Sequence, residues 1–85
     1  MNKVYIVAAK RTAIGKFGGS LAGISAAEMA SLVIKNIISE TGINPANLDE
    51  VVVGNILSAG QGQGVARQAS IRAGVPSEVP AYGIN

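Results

Sequence analysis

The 85-residue chain contains no cysteine, no histidine and no tryptophan. Without cysteine these residues can form no disulfide, no thiolate metal site and no thiol nucleophile. Without histidine they lack the side chain that most often serves as a general base near neutral pH. Aromatic residues are scarce at 4%, and charged residues make up only 14%. The cations Arg11, Lys16, Arg67 and Arg72 are scattered and not interleaved with aromatic rings. A formal net charge of +2 is too small for the electrostatic footprint of a nucleic-acid binder. No apolar run approaches the ~18–20 residues that a membrane-spanning helix needs. The first apolar stretch, residues 4–9, is too short for a signal-peptide core and is closed by Lys10-Arg11. The default expectation is a cytoplasmic protein with neither nucleic acid nor membrane as partner and no metal site.

What is present is apolar residues, at 48%, and eleven glycines, a balance that suits a packed core joined by tight turns. Residues 4–9, Val-Tyr-Ile-Val-Ala-Ala, form a nearly continuous apolar run, as expected of a strand covered on both faces. Residues 51–57, Val-Val-Val-Gly-Asn-Ile-Leu, form a second. Such strands need helices on both faces, and the pattern supplies only two helices. The reading is therefore an α/β layer that these residues leave unfinished, so that an isolated 85-residue piece is expected to aggregate.

The first helix is the better specified of the two. Ser25-Ala26-Ala27-Glu28 fits a capping box, in which the serine hydroxyl and the glutamate carboxylate each accept from the other's amide. Ala30, Val33, Ile34 and Ile37 recur at helical spacing, while Glu28, Ser31, Lys35 and Ser39 fall on the opposite side. Gly42 stands where a left-handed residue ends a helix, and Asn44-Pro45 prevents continuation. The second helix, residues 65–73, is dominated by small residues, so another element must approach it closely. Arg67 and Gln68 are its polar groups expected to be buried, with an internal salt bridge or loop anchor as the role for the arginine.

Two glycine-rich loops invite a nucleotide reading, and counting rejects both. Around Gly15-Lys16 the phosphate-loop pattern requires glycine at position 10 and Ser or Thr at position 17; these are Lys10 and Phe17. In Gly60-Gln61-Gly62-Gln63-Gly64 the third glycine of a dinucleotide fingerprint falls on Val65 or on Arg67, and Pro80-Ala81-Tyr82-Gly83 offers no acid for a ribose. The loop holding Gly15, Gly18, Gly19 and Gly23 around Phe17 reads as structural, with Arg11 able to anchor its carbonyls.

The order of these elements carries a resemblance. Lys10-Arg11-Thr12-Ala13-Ile14-Gly15-Lys16-Phe17-Gly18-Gly19 after the first strand resembles the N-terminal part of a thiolase. So do residues 51–85, a valine strand, glycine loop, Ala66-Arg67-Gln68-Ala69 helix, Gly74-Val75-Pro76 exit and new extended segment from Val79 to Asn85. Many members have Asn-Pro where this chain has Gly64-Val65, which costs the helix a pre-set first residue without touching chemistry. The resemblance spans essentially residues 4–85 and implies a layered αβαβα fold, of which this is an incomplete N-terminal part, with a mixed sheet flanked by helices. The implied reaction condenses two acetyl-CoA to acetoacetyl-CoA and CoA, or reverses it, through a cysteine acyl-enzyme. That cysteine follows the last strand and would lie beyond Asn85, so no catalytic, cofactor-binding or metal residue is expected within these residues.

The resemblance implies coenzyme A thioesters as substrates, with no tightly bound cofactor. It also implies the remainder of the same polypeptide as partner, and a homodimer or homotetramer with Arg67 and Gln68 near the dimer interface. Two alternatives stay open. One is a degradative 3-ketoacyl-CoA thiolase or other condensing enzyme; the other is a non-catalytic α/β module that binds another polypeptide.

Overall fold

Ser25 opens the longest element of the computed structural model, which describes residues 3–15, 18–20, 22–56 and 64–84. Helix α1 runs Ala26–Thr41, and the Ser25 hydroxyl accepts from the Glu28 amide at 3.1 Å. Only this half of the capping box forms, because the Glu28 carboxylate turns to Arg72, 3.8 Å away. At the far end Gly42 takes φ 71° and its N–H donates to the Ile38 carbonyl at 3.0 Å, the single-bond left-handed cap. Thr41 Oγ1 donates to the Ile37 carbonyl at 2.8 Å and reinforces that last turn. A 3₁₀ turn, Pro45–Asn47, follows; the Asn44 side chain accepts from the Ala46 amide at 3.0 Å. Ala27 is buried, and Ala30, Val33, Ile34 and Ile37 are half-buried. Glu28, Lys35 and Ser39 are exposed, as the helical spacing requires, whereas Ser31 is half-buried with its hydroxyl bonded to the Glu28 carbonyl.

Strand β1, Val51–Gly54, and strand β2, Ala81–Ile84, pair in parallel with Val51 opposite Ala81 and Gly54 opposite Ile84. A parallel pair needs a crossover, usually helical, and helix α2, Val65–Arg72, supplies it. Pro80 can donate nothing to a ladder and stands just outside β2, where its carbonyl accepts from the Val51 amide at 2.8 Å. Helix α2 starts at Gly64, with φ 62° and no side-chain cap. It ends in two bonds, Val75 N–H to the Ser70 carbonyl at 3.0 Å and Gly74 N–H to the Ile71 carbonyl at 3.1 Å, with Gly74 at φ 92°. This is the Schellman arrangement, and the Gly-Val-Pro exit turns the chain back toward β2 there.

The core lies on α2. Ala66, Ala69 and Ala73 are buried with Val65, Val75, Val79 and Ala27, where α2 packs on α1 and on both strands. Alternation along β1 turns Val51 and Val53 inward and Val52 outward. The outward face, with Val52, Ile56, Tyr82 and Ile84, is uncovered.

Residues 4–9 correct one expectation. They form no strand, and Val4 and Ile6 are 94% and 90% exposed. A strand exists only through its ladder, and among the described residues no neighbour offers one. Just after the segment, Lys10 forms an ion pair with Glu40 at 2.7 Å. The valine strand is also shorter than the apolar run that announced it, and Leu57 lies outside the described residues.

Two expectations follow. Ser25→Ala removes the α1 cap and is expected to cost about 0.5–2 kcal/mol, measured as a fall in thermal stability of the full-length polypeptide with Michaelis constants unchanged. The 85-residue polypeptide alone exposes residues 4–7 and one whole sheet face, which invites edge-to-edge pairing. Size-exclusion chromatography is expected to show association or aggregation; a monodisperse monomer with strongly protected amides at Val51–Val53 would contradict that.

Candidate functional site

In parallel α/β sheets ligands gather beyond the carboxyl ends of the strands. Here those ends are Gly54 and Ile84, and they open on a depression of 460 Å³ lined by Gly54, Asn55, Ile56 and Ile84. The last ladder bond is that from Asn55 N–H to the Ile84 carbonyl, at 2.9 Å. Asn55 falls on the inward face with Val51 and Val53, where its Nδ2 is buried with no hydrogen-bond partner among the described residues. One other buried side-chain polar atom is in that condition among the described residues: the Ser70 hydroxyl of α2, 1% exposed. Both were legible as polar interruptions of apolar faces, Asn55 two residues after Val53 and Ser70 between Ala66, Ala69 and Ala73. Sequence reasoning passed over them because it sought charged or nucleophilic groups.

Arg67 is where an anchor should be but not where burial was expected. It is exposed, and its Nη1 donates to the Ser77 carbonyl at 3.0 Å, tying the start of α2 to the loop before β2. Position 67 lies off the face filled by Ala66, Ala69 and Ala73, whose close packing leaves no room for a guanidinium. Gln68 is half-buried. Arg11 is exposed and anchors no carbonyl among the described residues; with Lys10, Thr12, Leu32, Val33 and Asn36 it lines a separate 220 Å³ hollow beside α1. Lys16, Phe17 and the Gly60-Gln61-Gly62-Gln63 loop lie outside the described residues.

At the opposite, amino end of the strands the Tyr82 hydroxyl donates to Glu50 Oε2 at 3.3 Å. The Glu50 charge, then burial and this hydrogen bond, raise the Tyr82 hydroxyl above its ordinary 10.0. Among the described residues no group of three His, Cys, Asp or Glu could hold a metal ion, and no helix is long and apolar enough to cross a membrane. The depression therefore brings together strand ends, main-chain groups and one amide, with no acid, base or nucleophile among the described residues that line it.

The family described as "Thiolase, N-terminal domain" matches residues 4–85. The chain belongs to the thiolase family. It is 53% identical to an acetyl-CoA acetyltransferase of Cupriavidus necator and 52% identical to one of Pseudomonas aeruginosa, each over all 85 residues. It spans 22% of the length of each of these relatives. Among solved structures it is similar to the Acat5 thiolase of Ascaris suum in complex with coenzyme A, with a TM-score of 0.75 and 36% identity over 79% of this chain and 18% of that one. A thiolase N-terminal region accounts for the two helices and the parallel strand pair.

Tyr82 yields a pH test. Its raised pKa means that the protonated phenol is the form favoured in the folded state. The stabilisation is present below the ordinary value of 10.0 and is lost as pH rises through the folded value. Glu50→Gln removes the main cause, so a phenolate absorbance titration, read as the difference from Tyr82→Phe, is expected to shift to lower pH. An unmoved titration would mean that Glu50 does not act on Tyr82.

Proposed function

We propose that these residues are the amino-terminal part of an acyl-CoA acyltransferase of the thiolase type that condenses two acetyl-CoA to acetoacetyl-CoA and CoA, or catalyses the reverse thiolysis. The observation that carries this reading is the 53% identity, along the whole chain, to a protein named acetyl-CoA acetyltransferase. The open carboxyl ends of β1 and β2 support it, because that is the edge at which a parallel sheet presents chemistry.

The nucleophile is a cysteine beyond Asn85, at the start of the helix that follows β2. A helix N-terminus lowers a thiol pKa, so the thiolate is available near neutral pH. It attacks the thioester carbonyl of acetyl-CoA; the carbon–sulfur bond to CoA breaks, and CoA leaves as the thiol after taking a proton. A second cysteine removes a proton from the α-carbon of another acetyl-CoA. The resulting enolate attacks the acetyl-enzyme, forming the carbon–carbon bond and returning the thiolate. Hydrogen-bond donors hold the oxyanion of each step. Coenzyme A thioesters are substrates, and no tightly bound cofactor takes part. The enzyme is cytoplasmic and a homodimer or homotetramer, with Arg67 and Gln68 near the subunit interface.

The full-length polypeptide is expected to consume acetoacetyl-CoA in the presence of free CoA. The 85 residues alone are expected to stay at background, since they contain neither cysteine nor histidine. Absence of turnover by the full-length protein would overturn the reading. So would turnover by the purified 85-residue piece that survives removal of any full-length contaminant.

A further inference from the structure

We draw no further inference here: the strongest candidate, the open apolar face of the β1–β2 pair formed by Val52, Ile56, Tyr82 and Ile84, carries nothing because nothing in the structure shows what covers it.

Discussion

Everything described hangs on how closely α2 approaches its neighbours. Ala66 and Ala69 are 2% and 0% exposed, and side chains that short bring the helix backbone against α1 and the two strands. Bulky residues at these positions would push the layers apart, and overpacking of this kind costs about 1–3 kcal/mol. The approach also dictates what can surround it. Gly74 turns the chain back at once through a left-handed residue, and Arg67 must leave the packed face and reach Ser77 from outside. The turn at Gly74 also brings the chain back toward β2, which pairs in parallel with β1.

Small residues close a helix onto a sheet but bury little apolar area each, and burial is what stabilises. The large apolar side chains lie elsewhere. Val4, Ile6, Ile14 and Ile56 are all more than three-quarters exposed, and Val52, Tyr82 and Ile84 lie on an open sheet face. A parallel sheet is stable with both faces covered. The α2 side is the covered face, and the uncovered one has the composition of an interior. The chain spans 22% of the length of the acetyl-CoA acetyltransferases it matches.

Local signals explain what was legible. The α1 start and stop were readable because Ser25 and Gly42 act within one turn of themselves, through the Glu28 amide and the Ile38 carbonyl. Gly74-Val75-Pro76 was readable for the same reason. The strand status of residues 4–9 was not, because strand pairing depends on residues far along the chain and an apolar run cannot show who its partner is. Glu28 met a different obstacle: Arg72 on the other helix competes for its carboxylate, and only the fold brings the two together. Burial of Arg67 was misjudged because its helical address was read without the alanine stripe beside it. Family membership was legible from the order of motifs, whereas the candidate site was not, for a buried amide such as that of Asn55 carries no charge or nucleophile to mark it.

The two ends of the strand pair differ in kind. At the amino end, Glu50 and Tyr82 satisfy each other in the open, so nothing there calls for a ligand. At the carboxyl end, Asn55 buries a donor with no acceptor among the described residues, beside Ile56 and Ile84 on the wall of the depression. A folded protein tolerates an unpaired buried amide only where something else completes it. The asymmetry is what the parallel arrangement produces: every strand delivers its chain to the same edge, so main-chain groups accumulate there with their partners still to be found.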